Sequence, residues 1–413
     1  MHTSPRSIPA PAIHLGWQLT PWTGWGRYGL NLAAELRRAS CAVAVDGIAG
    51  WNECAAAEQT ALAGIIDLSQ RASTDPPIPV AVSLQAVGNR GRCSPRSQAI
   101  AAERTIGVIF SEDTRWLPEE VARLNELTAV IAGSAWNAAV LRAAGVRNVV
   151  TILQGIDPVL WCQTAPDRGF AARLAGRFAV FSGGKLEFRK GQDIVLAAFR
   201  RFHSLHPDAV LVTAWQNPWP ETMRGIDLAG HATGLPKVVT GAGGGSVDLA
   251  AWAAAEGLER NAFIDLGLLA GHELPQYVRA CDVAVFANRA EGGTNLVAME
   301  CIAAGLPTVL SGNTGHLDLA ADATILSRQG RVPVGCPFYR DMTGWGETSV
   351  DDLVAAMEQG YALRHAPRAA LEARGREFAA RCSWGENARQ LLGVLGLAGV
   401  TLEGSAASGQ SGT

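Results

Sequence analysis

The stretch Ala290–Pro307, AEGGTNLVAMECIAAGLP, sets two glutamates around a glycine-containing loop that runs on into a helical pattern. Glu291 closes the loop after the apolar run Asp282–Phe286, and Glu300 is expected more than two turns inside a helix starting near Asn295. The free backbone N–H groups of such a helix start attract anions, and carboxylates accept hydrogen bonds from sugar hydroxyls. A site offering both suits a phosphorylated sugar. The competing reading is a plain strand-to-helix turn with one solvated and one capping glutamate.

Similar segments recur along the whole chain. Short runs rich in Val, Ile, Leu and Ala predict buried strands at 13–19, 42–48, 79–85, 106–112, 127–133 and 148–154, and again at 178–182, 209–215, 263–266, 282–287, 306–310 and 323–327. Most gaps between them carry helical spacing, as in Tyr28, Leu32 and Leu36 or Ile194, Ala198 and Phe202. Strands alternating with helices imply parallel sheets covered on both faces. With a polar break at Thr164–Arg168, this reads as two doubly wound domains, 1–170 and 171–384. Ligands of such sheets bind beyond the carboxyl ends of the strands, which places a two-part substrate in the cleft between the domains. The tail 403–413, with GSAASGQSGT at its end, has nothing apolar to bury and is expected to be disordered.

Composition narrows the function classes. A chain of 413 residues with 48% hydrophobic and 18% charged residues can bury two cores, and its formal net charge of -3 provides no global attraction to nucleic acid or an anionic membrane. No apolar run is long enough to span a bilayer and the first residues lack a secretory signal's apolar core, so a cytoplasmic protein without a transmembrane segment is expected. The arginines of 88–96, GNRGRCSPR, leave contact with an anionic acceptor or a membrane surface open, although a solvated loop is the favoured reading. The eight cysteines are scattered without metal-ligand spacing, and no Asp-x-Asp pair occurs, so neither a metal site nor a cofactor is expected. Phosphate neutralisation then falls to cationic side chains and backbone N–H groups.

Two further segments offer those groups. In Ser182–Asp193, SGGKLEFRKGQD, Gly183 and Gly184 permit a tight turn, and Lys185 and Lys190 are two of only three lysines in the chain. An ammonium is a compact charge suited to phosphate oxygens. Near the start, TPWTGWGRYGLNLAAEL places Gly24 and Gly26 between the first strand and the first helix, where backbone can approach a ligand or simply turn. Three other side chains have open roles. His316 either reaches the ligand or stabilises its loop, and Glu112, placed at the end of strand 106–112, either orients an acceptor or caps a turn. Trp215 and Trp219 either stack on a base or sugar or pack internally.

Together these segments resemble the retaining, group 1 (family 4 type) glycosyltransferases of GT-B architecture, two facing Rossmann-like doubly wound domains with an interdomain cleft. The family pattern G-R-L-x-x-x-K-G is matched by Gly184, Lys185, Leu186, Lys190 and Gly191, with lysine in place of arginine. The family's paired glutamates normally enclose seven residues, whereas Glu291 and Glu300 enclose eight. VIAGSAWNAAVLRAAGV at 130–146, QGID at 154–157, WGETSVDDLVAAME at 345–358 and CSWGENARQLL at 382–392 are looser matches.

The resemblance implies transfer of a sugar from a nucleoside diphosphate sugar to an acceptor hydroxyl of a glycan, lipid-linked glycan or small molecule, with retention and without a metal. Lys185 and Lys190 would neutralise the leaving diphosphate, Glu300 would hold the ribose, and Glu291 with Gly293, Thr294, Asn295 and Leu296 would orient the donor sugar. The last helix, 385–397, would pack back on the first domain. Another GT-B enzyme, such as a sugar-nucleotide epimerase or phosphorylase, and a non-catalytic nucleotide- or glycan-binding module are the alternatives.

Overall fold

Runs that are mostly apolar can be buried on both faces of a sheet, and this chain supplies two sets of them. In the computed structural model, which describes residues 12–93, 98–241, 244–336 and 338–396, they form two parallel sheets. The first contains β1 (Ala12–Leu19), β2 (Ala42–Ile48), β3 (Ile66–Asp67), β4 (Ile78–Val87), β5 (Ile100–Ile109), β6 (Ala129–Ala132) and β7 (Val149–Thr151), in the order β3-β2-β1-β4-β5-β6-β7. The second contains β8 (Phe178–Gly183), β9 (Ala209–Ala214), β10 (Phe263–Asp265), β11 (Val283–Phe286), β12 (Thr308–Ser311) and β13 (Thr324–Leu326), in the order β10-β9-β8-β11-β12-β13. This is the GT-B architecture of two facing Rossmann-like units.

All twelve predicted strands are present, with ends moved by a few residues. The short edge strand β3 and two antiparallel hairpins, Val238–Gly241 with Gly244–Val247 and Gln329–Gly330 with Glu347–Thr348, were not predicted. They are too short, or too rich in glycine, to show an apolar run. The expected tail 403–413 and residue 397 of the expected last helix lie outside the described residues.

In each sheet the strand order reverses once, between β1 and β4 and between β8 and β11. Loops leaving the strands at such a reversal diverge and open a crevice. The segments singled out in the sequence leave these strands: Gly24 and Gly26 follow β1, Lys185 and Lys190 follow β8, and Glu291 follows β11.

The two halves are in close contact across the cleft. A Cβ added at Gly292 would fall 2.5 Å from the Phe110 carbonyl carbon, and Ser134 Oγ donates to the Gly292 carbonyl at 2.8 Å. The segment after the second sheet reaches across as a strap. Arg340 pairs with Glu120 through two 2.9 Å hydrogen bonds, Asp341 accepts from Thr114 Oγ1 at 2.8 Å, and Trp345 Nε1 donates to the Glu112 carbonyl at 2.9 Å. The helix Trp384–Val394 lies against Gly24–Arg38, with the Trp384 and Tyr28 rings 5.5 Å apart, and Asn387 donates to the Leu153 carbonyl at 2.6 Å.

Gly191 ties the lysine loop to the glutamate loop. It has φ +65°, and a Cβ there would lie 2.0 Å from the Ala287 carbonyl oxygen. Gly191→Ala combines a left-handed backbone with a clash against backbone, and is expected to destabilise the protein by about 2 kcal/mol or more. Thermal melting should register this as a drop of several degrees, and an unchanged Tm would show that the two loops are not braced at this point.

Candidate functional site

The site begins with a buried arginine that the sequence reading passed over. Arg289, fully buried two residues before Glu291, donates to Asp193 at 2.9 and 2.7 Å, to Glu347 at 2.6 and 3.2 Å and to the Phe188 carbonyl at 2.7 Å. Burial opposes its charge, but the Asp193 and Glu347 carboxylates reverse the effect and raise its pKa. The backbone N–H groups of Arg289 and Ala290 both donate to the Arg189 carbonyl, at 2.7 and 3.2 Å. The loops after β8 and β11 are thereby fixed side by side.

On this brace sits a chain of alternating charges. Glu291, 5% exposed, accepts from Lys190 Nζ, from Asn288 Nδ2 and from Arg189 Nη1 at 3.0 Å. Its backbone N–H donates to Thr314 Oγ1 at 2.8 Å. Burial alone would push the Glu291 carboxyl up, yet Lys190 and Arg189 outweigh it and hold the pKa at about 2. Lys185 does not touch Lys190's partner: its ammonium is 2.7 Å from Glu187 and 4.8 Å above the Trp219 ring. Arg189 links the two lysines through their carboxylates, reaching Glu187 at 2.9 Å as well as Glu291.

The first half of the chain adds Glu112, 3.4 Å from Arg189 Nε. β5 ends at Ile109, so Glu112 lies in the following loop and not at a strand end as expected. Asn89 Oδ1 fixes that loop by accepting from the Glu112 N–H at 3.1 Å and from Ser111 Oγ at 2.7 Å. Burial raises the Glu112 carboxyl against the pull of Arg189.

Glu300 is the fifth residue of the helix Leu296–Ala303, little more than one turn in, and not more than two as expected. Its buried carboxylate is gripped by Arg27 from the first helix, one contact being 3.3 Å. Burial raises its pKa and Arg27 counteracts this. Among the described residues no hydrogen bond or ion pair joins Glu300 to the Glu291 cluster. Between the two glutamates the loop takes a left-handed step at Asn295, φ +66°. Asn295 Nδ2 is 3.1 Å from His316 Nε2, whose other nitrogen is 2.9 Å from Ser311 Oγ. Burial and nearby Lys190 depress the His316 pKa to about 4, so its ring is neutral at neutral pH.

The remaining candidates separate by packing. Leu296 opens the helix and Thr294 Oγ1 turns inward, 2.8 Å from Met299 Sδ. A Cβ on Gly293 would lie 3.0 Å from the Phe110 ring, and one on Gly184, φ +106°, would touch Lys190. Gly26 abuts Thr20, whose Oγ1 would be 2.2 Å from a Cβ there, so packing requires that glycine, whereas Gly24 faces open space. Trp215 is a core residue, 0% exposed and 3.2 Å from Ser182 Oγ, which removes it as a stacking platform. Among the described residues no group of three His, Cys, Asp or Glu side chains is arranged to hold a metal, and no helix is long and apolar enough to cross a membrane.

Two Rossmann-like sheets with a charged cluster between them define a GT-B protein, and solved structures agree. The chain is similar to Anabaena HepE in complex with UDP (14% identity, 94% of this chain and 99% of that one covered, TM-score 0.58) and to sucrose-phosphate synthase from Thermosynechococcus elongatus (16%, 92% and 97%, 0.61). It is also similar to a glycosyltransferase from Rickettsia africae (10%, 94% and 98%, 0.61). Identity this low supports the fold alone. Residues 171–330 match the family described as glycosyl transferases group 1, and residues 270–391 match family 4 glycosyltransferases in conflict systems. These matches support a group 1 glycosyltransferase. No curated protein sequence matches the chain.

Because the folded pKa of His316, about 4, lies below its ordinary 6.5, its share of stability is complete above pH 6.5 and is lost as the pH falls toward 4. Glu291, held at about 2 against an ordinary 4.5, acts in the same direction in the window below 4.5. Melting temperature is therefore expected to decline in two stages on acidification, and His316→Asn to lose the first. A flat wild-type profile from pH 7 to pH 4 would contradict the assignment.

Proposed function

We propose that the protein is a retaining glycosyltransferase that moves a sugar from a nucleoside diphosphate sugar to an acceptor hydroxyl without a metal ion. The observation that carries this reading is the Lys190–Glu291 contact, which joins a cation and a sugar-orienting carboxylate from the two loops that leave β8 and β11, on either side of the strand-order reversal. The family matches support glycosyl transfer, and the HepE structure, which binds UDP, gives a nucleotide-binding precedent for the architecture.

In this reading 171–384 holds the donor and 1–170 faces the acceptor. Lys185 and Lys190 neutralise the diphosphate as its charge grows in the transition state, where preorganised charges lower a barrier most effectively. Glu291 and the backbone of Gly293–Leu296 orient the sugar, Glu300 binds the ribose hydroxyls after Arg27 releases it, and Gly24 lets the first helix approach the diphosphate. His316, neutral, braces Asn295. Retention follows from attack on the face the leaving group vacates, with a phosphate oxygen taking the proton of an acceptor that Glu112 orients. Since Gly292 rests directly on Phe110, the halves must part for the donor to enter and close again for the reaction.

A panel of nucleoside diphosphate sugars tested by thermal shift checks this, because a ligand that binds only the folded state raises Tm with concentration. One donor should stabilise the wild type, and Lys190→Ala should lose most of that shift while remaining folded. Lys237→Ala, at the exposed third lysine, should keep it. No shift with any donor would defeat the proposal, and an undiminished shift in Lys190→Ala would remove Lys190 from the site.

A further inference from the structure

Arg189 is the hub of the charged cluster, within 3.4 Å of three carboxylates. Three cations, Lys185, Arg189 and Lys190, face three carboxylates, Glu187, Glu291 and Glu112. The set is neutral only while the halves touch. Five of the six groups belong to the second half, and Glu112 alone comes from the first, held at the cleft by Asn89 and by Trp345 of the strap. When the halves separate, the second half retains three cations against two carboxylates. The cation that loses a partner is Arg189: Glu187 and Glu291 stay 2.9 and 3.0 Å from it, but each of these carboxylates is shared with a lysine, so three cations then divide two carboxylates.

Arg189 is 12% exposed at its side chain, so its charge is poorly screened by water and an unmatched anion is strongly drawn to it. Its neighbours Lys185 and Lys190 are the groups assigned to the diphosphate, and a planar guanidinium fork suits two phosphate oxygens better than a point charge does. We propose that Arg189 is a donor-positioning residue that binds the diphosphate, and that Glu112 is an internal stand-in for that anion which the donor displaces. The inference rests on the donor reading given above. It adds a third cation to the grip and makes donor binding a competition with a carboxylate carried on the opposite half. Displacement also leaves Glu112 unpaired beside the reacting sugar, where an acceptor hydroxyl can donate to it.

The two residues predict opposite signs. UDP, GDP and ADP are titrated calorimetrically into the wild type, Arg189→Gln, Arg189→Lys and Glu112→Gln, with the matching nucleosides as phosphate-free controls. The nucleoside diphosphate that binds the wild type should bind Arg189→Gln about ten-fold more weakly or worse, and Arg189→Lys with intermediate affinity. Nucleoside binding should be the same in all four proteins. Glu112→Gln, which removes the competing charge, should bind the diphosphate more tightly than the wild type. A merely structural cluster would weaken in both variants. Wild-type affinity in Arg189→Gln, or loss of affinity in Glu112→Gln, overturns the inference while leaving the donor reading intact. Failure of all three diphosphates to bind the wild type overturns both. Should Arg189→Gln not fold, the direction of the Glu112→Gln effect decides.

Discussion

The paired guanidinium of Arg289 is the constraint from which the rest of the site follows. A charge taken wholly out of water costs several kcal/mol unless it is matched, and removing one partner of such a pair costs about 3–5 kcal/mol. Asp193 and Glu347 match it, and the Phe188 carbonyl completes its hydrogen bonding. Those partners come from the helix after the lysine loop, from the hairpin behind the strap and from the lysine loop itself. Satisfying one buried cation therefore sets the relative position of the second-half segments that contribute to the charged cluster.

Above that brace, the cluster is preorganised in the sense that matters for stabilising a changing charge. Glu291 stays ionised because two cations outweigh the penalty of its burial, and His316 stays neutral because burial and an adjacent ammonium oppose its protonation. The same burial that keeps these groups fixed makes any unmatched charge at the cleft expensive. Two of the contacts between the halves are accordingly charge pairs, Arg27 with Glu300 and Arg189 with Glu112. Each covers a group of the second half with its opposite from the first. The strap, through Arg340, Asp341 and Trp345, holds the surfaces in register.

Much of this was legible in the chain before any coordinates. Runs such as Phe178–Phe181 and Val283–Phe286 are apolar at every position because both faces of a parallel sheet are covered, and this alone located the strands. Charged residues following such runs, as in Lys185, Lys190 and Glu291, then fell on the loops at the strand ends. Arg189 and Arg289 were missed because arginine is the common cation here. Only their closeness in sequence to Lys190 and Glu291 marked them, and closeness in sequence does not disclose burial. The position of Glu112 and the depth of Glu300 in its helix were misjudged by a few residues, since element ends depend on tertiary contacts that no period reports.

The sequence by itself determined the alternation of strands and helices, hence two doubly wound sheets, and the identity of the loops that carry charge, because hydrophobic periodicity and glycine placement are local properties. Only the tertiary structure decided the pairing. That Lys190 meets Glu291 while Lys185 meets Glu187, that Arg27 closes on Glu300 from 273 residues away, and that Trp215 belongs to the core, depend on which surfaces are brought together. Coulomb energy in a buried site is set by distances of a few ångströms between groups remote in the chain, and such distances exist only once both sheets have formed and met.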